Sequence, residues 1–426
     1  MHSWTGEPRA NKGLIYVLGT YPLLTTTFID REIRTLRGWG VSVQVVAVRR
    51  PPADVPLSGD QQELQRDVRY LLPVRWVDLI LGHLYFLLRR PRRLARTFAF
   101  LITRPHPSLW ARVKTILHFG EGVYAAYLVR DLSFRELHAH FADRAATIAL
   151  VASRLLGTPY SLSIHAARDI FVDPVLLKEK VVQARHVVTC TAHNKSHVAS
   201  IVGRNGGDAI THVRHGLDLS AFPIGKDRSS GPPVILSVGQ LKPRKGLAQL
   251  VRACAMLRDR GYRFRCKIVG RGPQYAQLET LIGGLALADT VDLCGALRHE
   301  DVVREYRRAT VFVLPCVQTG DGDVDGIPNV LAEAMALQVP VVSTGLPAIR
   351  ELVSDGVNGL LVPPDDAASL ADAIARLLDR PDLRTRLGEE GRRRVLETFQ
   401  LEPNVRTFAS TLWPEWFARQ DTAARA

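Results

Sequence analysis

Long uncharged apolar runs are missing from this 426-residue chain. None reaches the ~18–20 residues a membrane-spanning helix needs, and the opening MHSWTGEPRANKG has no apolar signal core. Cysteine is sparse. Cys190, Cys254, Cys266, Cys294 and Cys316 are scattered and odd in number, with no C-x-x-C pair. This excludes a disulfide framework and predicts buried free thiols in a reducing, cytoplasmic setting. Acidic residues are short in the first half: Lys and Arg less Asp and Glu give +12 over residues 1–224 out of a total of +14, leaving +2 for 225–426. A strongly basic half wants a polyanionic partner, whether a membrane surface, a nucleic acid or an anionic substrate.

What the chain has is length and apolar content. At 426 residues with 46% hydrophobic residues it has material for two cores. Short β-branched runs alternate with helical stretches throughout: strand signals at Gly13 to Leu18, Val41 to Val48, Leu137 to Ala142, Tyr160 to Ile164, Val187 to Thr191, Val234 to Val238, Arg265 to Gly270 and Val291 to Gly295, with helices between. Alternation of this kind predicts α/β architecture with parallel sheets. The polar, Pro/Gly-rich AFPIGKDRSSGPP (221–233) reads as a linker. The expected domains are 1–224 and 225–405, with 406–426 crossing back to the first on the strength of Trp413 and Trp416.

The stretch from Val311 to Val362 carries the most chemistry. A buried strand (Val311 to Pro315) leads into an acidic loop with Asp321, Asp323 and Asp325. A helix follows, with Pro328 at its start and NVLAEAMAL after it, then a second strand at Val339 to Ser343. The helix start at Gly326, Ile327, Pro328, Asn329 and Val330 is an anion site in form, because backbone N–H groups and the helix dipole point the same way. Asp325 and Glu333 bracket it. Carboxylates repel phosphate, so they suit hydroxyls of a sugar and a ribose. A calcium loop fails on register: the twelfth residue from Asp321 is Ala332, not glutamate. Asp321 and Asp323 also match a loose D-x-D, and an ordinary solvated acidic loop is the bland alternative.

Gly239 and Gly246 bracket a loop with Lys242, Arg244 and Lys245 ahead of a helix from Leu247, a cationic strand-to-helix turn suited to a diphosphate. Gly270 and Gly272 begin a G-x-G-x-x-G, but Tyr275 takes the third place, so a nicotinamide fingerprint is incomplete. The backbone around Leu297 is placed to hold a base edge. His165 follows the strand at 160–164, at the carboxyl end where functional side chains collect. His138 and His140 form an H-x-H without further ligand spacing, so structural or acceptor-side roles are favoured over a metal.

GDVDGIPNVLAEAMALQVPVVST resembles the E-x7-E region of the retaining GT-B glycosyltransferases of family 4, with Asp325 in the first acidic place. Over about Tyr16 to Phe399 the chain is similar in particular to bacterial exopolysaccharide transferases of the colanic acid and amylovoran type. The resemblance implies two doubly wound Rossmann-like domains facing a central cleft, a nucleotide-diphospho-sugar donor bound by the second domain, and a saccharide or lipid-linked acceptor. It implies that Lys245 grips the diphosphate, with Gln240 where the family usually has arginine, and that the turn at Gly270 and Gly272 lines the nucleotide. His165 would approach the donor sugar, with Ser163 where threonine is commoner. YPLLTTTFIDREIRTL (21–36) also matches the family, so the loop at Gly19, Thr20 and Tyr21 would face the acceptor or the diphosphate; a plain βα turn is the alternative. VRHGLD (213–218) matches an N-G-[IV]-D segment with His215 for asparagine.

The resemblance implies a hexosyltransferase that retains configuration, by front-side attack of the acceptor hydroxyl; the electrostatic task of the cationic loop and helix start calls for neither metal nor bound cofactor. The alternatives are a non-catalytic membrane-associated scaffold of the same fold, a nucleotide-sugar-hydrolysing epimerase and, third, a dehydrogenase. Arg89, Arg90, Arg92, Arg93 and Arg96 beside LILGHLYFLL and LARTFAFLI predict either a helix lying in a membrane plane or a solvated basic face over a core helix. Nucleic acid is not expected, since no binding motif accompanies the charge. The cytoplasm, with peripheral attachment to the inner face of the membrane, is the expected location.

Overall fold

The computed structural model describes residues 13–165, 168–203, 210–225 and 231–414. The chain forms two units: Met1–Val213 with Glu402–Ala426, and Arg214–Leu401. The first unit therefore ends before the expected linker at 221–233, and the return to it begins at Glu402 rather than 406.

Unit 1 contains β1 (Gly13–Thr20), α1 (Thr27–Gly38), β2 (Ser42–Arg49), α2 (Gly59–Arg66), β3 (Val68–Tyr70), α3 (Trp76–Arg89), α4 (Pro91–Thr103) and α5 (Leu109–Val129). It continues through β4 (Glu136–His140), α6 (Arg144–Leu156), β5 (Tyr160–Ile164), α7 (Arg168–Phe171), α8 (Leu177–Gln183), β6 (Val187–Thr189), α9 (Ala192–Val202) and β7 (Ile210–His212). The strands form one parallel sheet in the order β3-β2-β1-β4-β5-β6-β7. β4 and β5 are buried along their whole length, as strands covered by helices on both faces must be. Helix α6 is fixed at both ends. The Asp143 side chain accepts from Ala145 N, and Gly157 closes the helix in the left-handed region at φ 75°. Arg90 also donates to the carbonyls of Leu155 and Leu156 at 2.8 and 2.6 Å, and Arg93 to Leu155. Two arginines of the basic cluster thus cap the C-terminus of a core helix, where cations are favoured.

Unit 2 contains β8 (Val234–Val238), α10 (Leu247–Asp259), β9 (Arg265–Val269), α11 (Tyr275–Gly284), β10 (Val291–Gly295), α12 (His299–Arg308), β11 (Val311–Leu314), α13 (Asn329–Ala336), β12 (Val341–Thr344), α14 (Pro347–Arg350), β13 (Leu360–Val362), α15 (Ala367–Asp379) and α16 (Pro381–Thr398). Its sheet is also parallel, in the order β10-β9-β8-β11-β12-β13. The last helix, α17 (Leu401–Leu412), returns the chain to unit 1. There the Phe408 ring lies 5.0 Å from that of His138, and Leu412 and Trp413 are buried. Trp416 lies outside the described residues. Among the described residues, no helix is long and apolar enough to cross a membrane.

Both sheets have the doubly wound order, which reverses once: between β1 and β4, and between β8 and β11. At such a switch point the loops leaving adjacent strands diverge to opposite faces and leave a crevice at the strands' carboxyl ends. The residues with chemistry sit at these two places.

Candidate active site

In unit 2 the loop after β8 meets the loop after β11. Gly246 makes this meeting close. Its φ is +65°, and a Cβ there would lie 1.8 Å from the Pro315 carbonyl oxygen. Val317 N donates to the Arg244 carbonyl at 2.9 Å across the same junction. Strand geometry thus carries Arg244 and Lys245 to the acidic loop, 81 and 80 positions away in sequence. Lys245 Nζ lies 2.8 Å from Asp325 Oδ2, Arg244 Nε donates to Asp325 Oδ1 at 2.9 Å, and Arg244 Nη1 donates to Asp323 Oδ2 at 2.9 Å.

The electrostatics are those of a buried, well-matched cluster. Lys245, Asp323 and Asp325 are each 8% exposed. Burial by itself would raise the Asp325 carboxyl, but the Lys245 ammonium and the Arg244 guanidinium outweigh it and hold it below the usual carboxylate range. Burial would likewise lower Lys245, yet Asp325 holds it above the ordinary lysine value. The Cys316 thiol is pushed up by burial and then by Asp325, so it stays protonated and donates to Asp325 Oδ2 at 3.5 Å. Lys245, Arg244 and Asp325 are thus all held in their charged forms. An incoming diphosphate could draw the cations from the carboxylates, and the carboxylates would then be left for hydroxyls.

Helix α13 starts beside this cluster with Pro328 at its N-cap and no side-chain cap on its first amides. His215 Nδ1 donates to Asn329 Oδ1 at 3.0 Å. The histidine that stands for asparagine therefore belongs to unit 2 and holds the first residue of the predicted anion-binding helix. Glu333, 4% exposed in the second turn, receives the Tyr306 hydroxyl at 3.4 Å. Gly326, Ile327 and Val330 are half-buried around that helix start, and Gln240 and Leu297 are half-buried on their own loops.

Gly270 and Gly272 have a backbone reason of their own. A Cβ on Gly270, whose φ is +150°, would lie 1.8 Å from the Gly239 carbonyl oxygen, and one on Gly272 would lie 2.5 Å from that of Leu241. Leu241 N donates to the Arg271 carbonyl and Gln274 N to that of Leu241, so the two turns are hydrogen-bonded together. The glycines let the turn after β9 seat the cationic loop.

Unit 1 gathers a second cluster from the ends of β1, β4 and β5. His140 Nδ1 lies 3.0 Å from His165 Nε2, with the rings stacked at 5.2 Å and 6°. Glu32 Oε1, from α1, lies 3.3 Å from His140 Nε2 and also receives the Tyr16 hydroxyl. His138 is bonded at both nitrogens, to Ser161 Oγ at 2.8 Å and Ser163 Oγ at 3.0 Å, and burial followed by His140 holds it well below the usual histidine range. Glu32, His138 and His140 could group around an ion, although both nitrogens of His138 and Nδ1 of His140 are engaged in the chain's own hydrogen bonds.

The structure changes the reading of two acceptor-side candidates. Tyr21 is wholly buried, so its ring is a core side chain, and His140 is 1% exposed and bonded to His165. Gly19 and Thr20 end β1 half-buried. Sequence reasoning missed Glu32 and Tyr16 altogether. Glu32 lies inside the family-like YPLLTTTFIDREIRTL stretch, on the same helix face as Phe28 four positions earlier, but was not singled out there. Sequence reasoning left Asp323 open between a loose D-x-D match and an ordinary solvated loop, whereas the structure makes it the second anchor of Arg244.

Two doubly wound parallel units, with a cationic turn set against an acidic turn and an uncapped helix start, define a GT-B glycosyltransferase framework. The model of the family "Glycosyl transferases group 1" matches residues 223–394. A mannosyltransferase of Mycobacterium tuberculosis, named as GDP-mannose-dependent and acting on phosphatidylinositol monomannoside, is 33% identical over 313 residues, covering 70% of this chain and 79% of that protein. The chain belongs to the glycosyl transferases of group 1. A putative colanic acid biosynthesis glycosyltransferase of Escherichia coli K12, WcaL, is 38% identical over 208 residues, 48% of this chain. The chain spans about half the length of that relative, 51%. Among solved structures, sucrose-phosphate synthase of Thermosynechococcus elongatus superposes with a TM-score of 0.72 at 19% identity, over 96% of this chain and 100% of that one. Anabaena HepE in complex with UDP-glucose gives 0.70 at 16%, over 94% and 99%. Both likenesses speak for the fold.

Proposed function

We propose that the protein is a retaining hexosyltransferase that moves a hexosyl group from a nucleotide-diphospho-sugar to a saccharide or lipid-linked acceptor, in exopolysaccharide or cell-envelope glycan synthesis in the cytoplasm. The observation that supports it most is the pairing of Lys245 and Arg244 with Asp325 and Asp323 beside the uncapped start of α13. Lys245, helped by Arg244, would take charge developing on the leaving diphosphate, together with the amides of Asn329 and Val330. This stabilisation comes from fixed protein charges and calls for no metal. Asp325 would then hold donor-sugar hydroxyls and Glu333 the ribose, while His165 positions the sugar. The WcaL relative favours an exopolysaccharide context, and HepE with UDP-glucose favours a uridine nucleotide as the first donor to try.

Isothermal titration against UDP, GDP and ADP without added metal, with the Glu333→Ala variant alongside, tests the reading. Tight binding of one nucleotide that is lost in the variant supports it and names the base. A folded protein that binds none of the three is a scaffold of the same fold.

A further inference from the structure

Unit 1 turns outward an apolar face that the described residues do not cover. On α3, Trp76, Ile80, Leu84, Leu87 and Leu88 fall within an arc of about 120° at 3.6 residues per turn, with Trp76 70% and Leu88 77% exposed. On α5, Leu109, Trp110, Val113, Ile116 and Leu117 fill an arc of similar width, about 120°, with Leu109 80% exposed. The opposite sides already face the core through Gly82 and Phe86 on α3 and Ala111, Thr115 and Phe119 on α5. Each helix is therefore apolar on two sides, where a helix that merely covers a core would be polar on its outer side. LARTFAFLI, singled out in the sequence, is not part of this face: its Leu101 is buried and its Phe98 packs on Phe119. LWARVKTIL, which carries no arginine cluster, supplies half of the face.

Charge decides what fits. Arg112 and Lys114 border the α5 arc on its two sides, and Lys114 Nζ lies 5.7 Å from the Trp110 ring centre. Residues 76–130 hold nine Arg or Lys against only Asp78 and Glu121. Both acids are engaged, Asp78 with Arg75 at 3.1 Å and Glu121 with Arg144. Arg89, Arg92 and Arg96 are exposed nearby. A second copy of the chain would bring the same cations together on both sides of the contact and gain repulsion. A nucleic acid would match the charge and leave two leucine-rich arcs in water. A bilayer bearing anionic lipid offers an apolar layer for the arcs, a headgroup zone for the exposed tryptophans and negative charge for the flanking cations.

We propose that the outer faces of α3 and α5 dock in the plane of an anionic lipid surface, with Trp76 and Trp110 at headgroup level and Arg112 and Lys114 on lipid phosphates. This surface is independent of the donor reading above, because it rests on unit 1 alone.

The test is flotation of the full chain with vesicles of phosphatidylcholine alone and of phosphatidylcholine mixed with phosphatidylglycerol, at low and high salt. The wild-type chain should float with the anionic vesicles, and less so as salt rises. Leu88→Ser combined with Leu117→Ser should weaken binding by about tenfold or more. Arg112→Gln combined with Lys114→Gln should weaken it by about tenfold and flatten the salt dependence. Both pairs change exposed residues, and unaltered melting would show that the fold is intact. Failure to float, or equal binding by both paired variants, overturns the proposal. So does a dimer in solution that Leu88→Ser with Leu117→Ser dissociates, because the face then belongs to a second copy.

Discussion

Lys245 and Asp325 form a buried ion pair at 2.8 Å although 80 residues separate them, and Arg244 holds the other oxygen of the same carboxylate. The two cations are thus satisfied by the protein's own carboxylates. On the reading proposed above, donor binding would be an exchange of anions.

Asp325→Asn should therefore separate binding from turnover. Removing the internal anion leaves Lys245 and Arg244 readier for phosphate, so UDP should bind a few-fold tighter in titration calorimetry. On the proposed reading transfer to acceptor should fall by about a hundredfold or more, because the donor-sugar contact assigned to Asp325 would be lost. The fold should also lose about 3 kcal/mol, as when one partner of a buried pair is removed.

The Lys245–Asp325 pair sets its own pH window. Asp325 is held below its unfolded value, so its contribution is present above the ordinary carboxylate range and is lost only as pH falls through the depressed folded value. Lys245 is held above its unfolded value, so its contribution is present below the ordinary lysine value and is lost as pH rises through the elevated one. Lys245→Met should lower the melting temperature by a constant amount from pH 6 to pH 9. A difference that changes within that range would show that one partner titrates there.

Asp30 is expected to act in the opposite sense. Burial, which outweighs the Gln61 hydrogen bond, raises its carboxyl to about 6. The protonated form is favoured in the fold, so stability from this group is present below the unfolded carboxylate value and is lost as pH rises through about 6. Denaturant midpoints for wild type and Asp30→Asn should diverge in the variant's favour by roughly 2–3 kcal/mol between pH 4 and pH 7. Taking the difference between the two proteins cancels His118, which burial lowers to about 4 and which acts the other way.

Glu32→Gln tests the unit 1 chain. With Glu32 as acceptor, His140 carries its proton on Nε2 and its Nδ1 receives the Nε2 proton of His165, which fixes the tautomer of His165. Glu32 is a positioning residue in this scheme. The variant should bind UDP as wild type does, while kcat drops by at least about tenfold and its pH profile shifts. An unchanged profile would reduce Glu32 to a packing role.

Gly246→Ala should lose both stability and donor affinity. The left-handed φ costs about 1–2 kcal/mol for alanine, and the clash with the Pro315 carbonyl forces apart the loops that carry Lys245 and Asp325. Gly261→Ala, also left-handed but with nothing within 4 Å, should cost stability alone. Melting curves and UDP titrations of the two variants distinguish them.

The sequence by itself determined the elements and their class. β5 and β8 begin and end where the strand signals at Tyr160 to Ile164 and Val234 to Val238 do, and α10 starts after Gly246 as its composition requires. Strand periodicity and glycine placement are local properties, so they can be read along the chain. The family resemblance likewise lay in contiguous stretches. Only the tertiary structure decided which charges meet. Strand order puts β8 beside β11 and so delivers Arg244 and Lys245 to Asp323 and Asp325. The same packing places Glu32 behind His140, turns Arg90 into a helix cap, and buries Tyr21. It also leaves Leu109, Trp110, Val113, Ile116 and Leu117 exposed, although in sequence their helix looks like any core helix. Each of these depends on which face of an element a neighbour covers, and a neighbour is chosen by sheet order rather than by sequence distance.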